Sequence, residues 1–516
     1  LPSLPAAATI AAPTIAHVSP SAVNNDGLKA AAKHREENGW KIIEDFMGLL
    51  DLPNVTGRLE DLRPNALRLV ELFEERGASM EIVELPGASP VVIGQLRTGA
   101  PTATLGVYVH YDGQPVDPDN WSTAPFTATL ASAAWHDGGA PLALPQAGQT
   151  IDSEWRIYAR GASDDKTPFA ALSAALDALM EASVSRMVDL VFLFEGEEES
   201  GSPNLARYME HLADQLAADA WLLCDGPVHQ SRRPQVAFGV RGYSGFDLTI
   251  YGPERELHSG HYGNWVPNPA LELAAFLAGC KDEAGMVTIS GFYDDTWPVS
   301  EADLRAIDAL PSIESQLQQE LGFGGSEVQD ISYPERLMIP SFNLRGLRSA
   351  AVGADARNVV PAEATASVDM RLAAGDDPDR MIDRVEGRLV EHGYTVLDRE
   401  PTSEERRSHR HLAKLERGVG YRAARIPMES PLATKLLEVA GTASGENVVA
   451  LPTFGGSMPL YLFEDLLQAP VAIVPIANHD NNQHAPDENV RIANLWYGVD
   501  LWATLLTSDF SGVTNA

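Results

Sequence analysis

An α/β fold is predicted for this chain of 516 residues, and three observations predict it. Apolar runs of strand length recur along it: Leu105–Val109, Tyr158–Gly161, Leu190–Phe194, Trp221–Cys224 and Val471–Ile476. Helix-period segments alternate with them through Asp225, which favours a mostly parallel sheet covered on both faces. Each run also leads into a His, Asp or Glu, and residues at the carboxyl ends of parallel strands converge on one crevice.

Taken in order, the spacing predicts a helix over Asp26–Leu50 and a second over Thr56–Arg76 with one buried face. Ala131–Asp152 is a Gly/Ala/Pro loop, longer than such connections usually are. Ala170–Ala182, rich in Ala and Leu, reads as a helix. The character changes near Arg241. Gly245–Tyr251 alternates like a half-exposed strand, Asn268–Lys281 reads as a helix, Phe342–Val352 and Val359–Leu372 as strands, and Pro378–His392 as a helix. Ser403–Arg425 carries Arg406, Arg407, Arg410, Lys414 and Arg417 and is expected to be an exposed connection. The first pattern resumes near Pro427 and closes with a helix over Ile492–Leu506. There is no internal repeat.

The length exceeds one ordinary core, so two domains are expected. With 38 basic and 72 acidic residues the net charge is −34, which disfavours nucleic acid and anionic membrane as partners. The charge is dispersed and serves solubility. Two cysteines, Cys224 and Cys280, exclude a disulfide framework. No apolar run reaches the roughly 18 residues of a membrane span. The chain begins with Leu1, and the Ala/Pro/Ser-rich Leu1–Val23 reads as a flexible lead-in. It fits the remainder of a removed export signal, an expectation of periplasm or secretion that leaves the cytoplasm open.

The candidate ligands at the strand ends are His110, Asp164, Glu199, Asp225 and His484. Two imidazoles with several carboxylates make a mixed N/O set suited to Zn²⁺, Mn²⁺ or Co²⁺. Singly, each is ordinary: Asp-Asp-Lys is a surface turn, a lone His at a strand end is structural, and an acidic run is a solvated loop.

Together they carry a resemblance. His110-Tyr111-Asp112, Arg160-Gly161-Ala162-Ser163-Asp164-Asp165-Lys166, Glu195-Gly196-Glu197-Glu198-Glu199-Ser200-Gly201, Leu257-His258-Ser259-Gly260 and Gly455-Gly456-Ser457-Met458-Pro459 occur in that order. From about Gly39 onward the chain resembles the M20 family of dinuclear metallopeptidases and amidohydrolases, most of all its carnosinase-type dipeptidase branch. The resemblance implies a flexible lead-in (1–25), a catalytic domain in two parts (26–240 and 411–516), and an inserted α+β lid and dimerisation domain (241–410) with an insertion at 285–339. It implies a homodimer through the lid and two divalent metal ions per subunit, Zn²⁺ first, with Mn²⁺ or Co²⁺ as alternatives.

Residue by residue, the resemblance makes Asp164 the bridging ligand, with a cis peptide often following it. His110 and Asp225 complete one metal's shell, Glu199 and His484 the other's. His484 is preferred to His479 because His-Ala-Pro-Asp-Glu resembles the family's ligand motif, in which Glu488 buttresses the loop. Asp112 orients His110. Glu198 is the general base for the water that the metal pair activates. His258, rather than His261, reaches the partner subunit's active site and stabilises the oxyanion. Arg371 pairs with a substrate carboxylate. Asn358 fills a slot where relatives carry Thr, and Gly455, Gly456 and Ser457 line the pocket with backbone donors. The chain departs from the pattern at Thr167, where Gly is usual, and at Phe454, where dipeptidases often carry an acid facing the substrate's amine. Phe454 suits an apolar or N-acylated group, unless it merely packs and Glu195 or Asp225 supplies the negative field. The implied activity is metallo-exopeptidase action on a dipeptide or short peptide; the alternative is hydrolysis of an N-acyl amino acid or aryl amide.

Overall fold

The computed structural model describes residues 25–456 and 458–513, so the N-terminal lead-in and Ser457 lie outside the described residues. The first of two α/β units is built on an eight-stranded mixed sheet. Its order is Ser79–Val83, Val91–Leu96, Val188–Glu195, Ala103–His110, Ala220–Leu223, Val471–Ile473, Gln235–Ala237, Val449–Leu451. The four central strands, Val188–Glu195 through Val471–Ile473, run parallel. Antiparallel pairs flank them.

Val188–Glu195 is buried at every position, as a strand covered on both faces must be. Its alternation divides two cores. Leu190, Phe192 and Phe194 join residues of Asp26–Leu50, Thr167–Glu181 and Ile492–Leu506. Val191 and Leu193 join residues of Leu205–Leu212 and Tyr461–Leu466. Truncating a fully buried Phe in such a core to Ala costs about 3–5 kcal/mol. Gly106 is required by sterics: a Cβ there would lie 2.2 Å from the Trp221 ring of the neighbouring strand.

A small antiparallel sheet joins Thr129–Ala131, Arg156–Tyr158 and Asn489–Arg491. It ties the loop before Asn489 to the strand that leads into Asp164.

The second unit is a five-stranded sheet in the order Ser341–Arg348, Glu363–Leu372, Gly242–Tyr251, Leu412–Arg417, Thr395–Leu397. Helices Pro269–Ala278 and Pro378–Glu391 bury Leu273, Phe276, Met381, Val385 and Leu389 against Phe246, Leu248, Val368 and Met370. The second helix starts where Asp377 caps the Arg380 N–H at 2.9 Å and Pro378 occupies the first turn.

Two expectations are corrected. Ser403–Arg425 is not an exposed connection: Leu412–Arg417 is an inner strand paired with Gly242–Tyr251, so this sheet extends beyond residue 410. Val359–Leu372 is not one strand: Val359–Val360 pairs with Leu257–His258, and Glu363–Leu372 joins the main sheet after Pro361, which has no N–H for a ladder. Within 285–339 lie three short helices, Glu301–Asp308, Glu314–Leu321 and Tyr333–Leu337. Among the described residues no helix is long and apolar enough to cross a membrane.

Candidate active site

The parallel registers bring the strand exits to one edge. His110 is directly opposite Glu195 on the next strand, and Tyr108 is opposite Leu223, two residues before Asp225. Asp164 follows the Arg156–Tyr158 strand, whose partner Asn489–Arg491 carries the His484 loop beside it.

Two groups of side chains meet at Asp164. His110, Asp164 and Asp225 form one; Asp164, Glu199 and His484 form the other; within each, ligand atoms lie within 4.8 Å of one another. His110 Nε2 is 2.9 Å from Asp164 Oδ1 and 4.0 Å from Asp225 Oδ2. His484 Nε2 is 2.9 Å from Asp164 Oδ2 and 3.1 Å from Glu199 Oε2. One carboxylate thus faces both imidazoles, one through each oxygen. The Asp164–Asp165 peptide is cis. His484 adopts a left-handed backbone, φ 61°, and is half exposed.

The surrounding shell fixes these groups. Asp112, wholly buried, lies 3.4 Å from His110 Nδ1 and accepts the N–H groups of Glu198 and Glu199 at 3.2 Å each. Glu488, also wholly buried, accepts from the N–H groups of Gly161, Ser163 and Asp164, from Ser163 Oγ, and from Arg160. That is the buttress of the Asp164 turn. Thr167 donates its hydroxyl to Ala162 O at 2.5 Å.

Several members of the shell went unrecognised in the sequence. Gln114 Nε2 donates to Glu199 Oε2 at 2.8 Å. It lies four residues after His110 on the same strand exit, a spacing that could have found it. Tyr108 OH and Ser202 Oγ donate to Glu195 Oε2 at 2.5 and 3.1 Å. Glu195 is wholly buried, and its Oε2 is tied to these two hydroxyls. Lys166 is buried and donates to Leu49 O and Leu52 O at the end of the first helix, with burial pushing its pKa down to about 7.

The electrostatics call for cations. Asp112, Asp164, Glu198, Glu199 and Asp225 crowd together around the two imidazoles of His110 and His484. Burying unbalanced charge is costly, so such groups bind protons or metal ions instead. Burial, then the nearby Asp164 charge, pushes Asp225 up to about 7 and Glu199 up to about 8. Burial likewise raises Glu198. Burial alone would raise Asp164, but hydrogen bonds from His110 and His484 hold it well below the usual carboxylate range. Burial disfavours charge on His110, yet its bonds to Asp112 and Asp164 hold its pKa well up. The bond to Asp164 lifts His484 to about 9. Glu199 Oε1 and Asp225 Oδ1 are buried with no hydrogen-bond partner. Orphaned carboxylate oxygens beside two imidazole nitrogens fit borderline divalent cations.

The remaining candidates lie on or beside the second unit. His258 is exposed, accepts the Gly260 N–H at 3.1 Å and has its ring 4.6 Å from that of His261. Asn358 lies beside it, its carbonyl accepting the Ser259 N–H. Among the described residues no hydrogen bond or ion pair joins His258 or Asn358 to the Asp164 groups. The Arg371 guanidinium lies 5.4 Å over the Tyr243 ring and 3.7 Å from Asp369. Phe454 packs against the first unit's core, and Gly456 O accepts the Arg241 N–H. Ser457 lies outside the described residues.

Comparison with known proteins agrees with this geometry. The model of Peptidase family M20/M25/M40 matches residues 106–508. Cys-Gly metallodipeptidase dug1 of Schizosaccharomyces pombe is 26% identical over 487 residues, covering 88% of this chain and 92% of that protein. Human Beta-Ala-His dipeptidase is 24% identical over 427 residues, covering 80% and 76%. Among solved structures, an M20 family metallo-carboxypeptidase from Sulfolobus solfataricus superposes with TM-score 0.68 at 26% identity, covering 90% of this chain and 98% of that one. Human carnosine dipeptidase 1 gives TM-score 0.64 at 19% identity over 93% and 98%, a likeness of fold. The family match spans most of the sequence and includes each of the five candidate ligands, and the chain belongs to peptidase family M20/M25/M40, hydrolases acting on C–N bonds.

Proposed function

We propose that the protein is a dinuclear metal-dependent exopeptidase that cleaves the peptide bond of a dipeptide or short peptide. The observation that carries this reading is the sharing of Asp164 between two ligand groups, one through each carboxylate oxygen. His110 and Asp225 would hold one divalent ion, Glu199 and His484 the other, with Zn²⁺ first and Mn²⁺ or Co²⁺ suited to the same donors. Bound there, the ions would acidify a water and polarise the scissile carbonyl.

The chain's own residues do the rest. Glu198 takes a proton from the attacking water and passes it to the leaving nitrogen; its raised pKa makes it a better acceptor than an ordinary carboxylate. Asp112 holds Glu198 and Glu199 by their backbones and orients His110, so base and ligands move as one piece. Arg371 receives the substrate carboxylate, its guanidinium held 5.4 Å over the Tyr243 ring. Gly456 offers a backbone donor, and Asn358 an amide. His258 acts from the partner subunit on the oxyanion. A homodimer is supported by the second unit's surface: Ser341–Arg348 is an edge strand with Leu344 and Leu347 exposed, and Trp265, near His258 in sequence, is 77% exposed.

Packing of Phe454 against the core leaves the substrate's amine free of any demand for acylation, and the relatives named as dipeptidases weigh the same way. The test is turnover of Zn²⁺-loaded protein on a dipeptide and its N-acetylated counterpart. Preference for the free dipeptide is the expected result; exclusive cleavage of the acetylated form would replace this reading with an N-acyl amino acid hydrolase.

A further inference from the structure

The 285–339 insertion is anchored to the first unit and reaches the pocket loop. Asp303, on the helix Glu301–Asp308, forms an ion pair with Arg425, and both side chains are buried. Asp303 also accepts the Ser300 N–H, so the same carboxylate starts its own helix. A buried pair of this kind is strongly destabilising to break from one side, which makes it a firm anchor. Downstream, the short helix Tyr333–Leu337 is set by a reciprocal cap between Ser332 and Glu335, and Arg336 Nε donates to Val328 O at 2.9 Å.

That helix lies against Gly455. A Cβ placed on Gly455 would meet the two methyl carbons of Leu337 at 3.7 and 3.8 Å and the Tyr333 hydroxyl at 3.8 Å. Those are ordinary contact distances, so both side chains stand within one side chain's depth of the loop. Neither is consumed by a core: Tyr333 is 43% exposed and Leu337 is half-buried. Arg241 locks the arrangement. Its guanidinium donates to Ile339 O at 2.8 Å and to Arg371 O at 3.1 Å, while its N–H donates to Gly456 O at 3.3 Å. One buried residue thus joins the end of the insertion, the strand carrying Arg371 and the loop after Phe454.

We infer that the insertion supplies a wall of the substrate pocket, and that Tyr333 and Leu337, beside Gly455, are specificity-determining residues for an apolar or aromatic side chain on the N-terminal residue of the peptide. The inference rests on the peptidase reading above, in which Arg371 takes the carboxylate and the loop holding Gly456 lines the pocket with a backbone donor. An isobutyl group and a phenol edge beside Gly455 form an apolar surface with one polar rim. Such a surface favours Leu or Phe over Gly by contact area, and a few methylenes of contact are worth roughly 10–200-fold in kcat/KM.

The test uses the full-length Zn²⁺-loaded protein on two series of dipeptides, Gly-Ala, Leu-Ala and Phe-Ala against Ala-Gly, Ala-Leu and Ala-Phe. Leu337→Ala and Tyr333→Ala are expected to lower the Phe-Ala to Gly-Ala ratio of kcat/KM about tenfold, mostly through KM, with bound metal unchanged. Tyr333→Phe, which keeps the ring, is expected to retain most of the ratio. Gly455→Ala fills the gap and is expected to lower the same ratio. Equal losses on every peptide would mean that the insertion only props the loop, and would overturn the inference. So would unchanged ratios, or a change confined to the second series. Cleavage of no peptide by the unaltered protein would refute the peptidase reading and this inference with it.

Discussion

Replacing Glu488 by Gln removes one charge and changes almost no volume, yet it strikes the support of the whole Asp164 turn. Glu488 Oε1 accepts from Ser163 N, Ser163 Oγ and Asp164 N at 2.8, 3.0 and 2.9 Å. Its Oε2 accepts from Gly161 N and Arg160 Nη1 at 3.0 and 2.7 Å. A glutamine amide must turn its NH₂ toward one of these sets, placing donor against donor. Each buried donor left without an acceptor costs about 1–3 kcal/mol. Arg160, 2% exposed, loses its anion, and breaking a buried pair from one side costs about 3–5 kcal/mol. These contributions share one network and do not add, so the larger, about 3–5 kcal/mol, is the expected total. Loosening of the turn would relieve part of it at the expense of Asp164's aim, and a lost supporting partner lowers metal affinity about 10–100-fold. The assays are urea denaturation of the chelator-treated protein and Zn²⁺ titration by competition. Stability within about 0.5 kcal/mol of wild type together with unaltered affinity would refute the reasoning.

Further outcomes follow from the charge balance and the assigned roles. Asp225 and Glu199 are pushed up to about 7 and about 8, first by burial. An acid whose pKa rises on folding contributes its stability below its unfolded value and loses it as pH climbs through the folded one. The metal-free protein therefore loses stability between about pH 4 and 8, and the gap in Tm between Zn²⁺-loaded and metal-free protein widens over that range; a constant gap would count against the assignment. Glu198→Gln is expected to keep wild-type metal content while kcat falls about 10²–10⁴-fold, and mixing it with an inactive His258→Ala protein is expected to restore activity through hybrid dimers. Full activity of Glu198→Gln alone, or no recovery on mixing, would remove the corresponding role.

The strand exits were legible because a strand buried on both faces writes a continuous apolar run, as Leu190–Phe194 does, and the next polar residue then marks the sheet's edge. The inner strand Leu412–Arg417 was hidden for the opposite reason. Its Leu412, Ala413 and Leu415 are buried, but Lys414 and Arg417 turn outward to pair with Glu400, Glu416, Asp383 and Glu386, so local composition reads as a solvated stretch. The break at Pro361 was visible as a residue type but not as a change of sheet, because pairing partners are set by distant chain. In the site, motif order picked out the five side chains that meet at Asp164. What it did not convey were long-range supports such as Gln114 on Glu199, or the number of donors that Glu488 gathers from a turn 324 residues away.

The sharing of Asp164 is tested most directly by counting metal ions per chain in the wild type and in Asp164→Ala, Asp225→Ala and Glu199→Ala after Zn²⁺ loading and desalting. A bridged pair predicts two ions in the wild type, about one in each of Asp225→Ala and Glu199→Ala, and depletion of both in Asp164→Ala. A single ion in the wild type, or two retained after loss of Asp164, would contradict it.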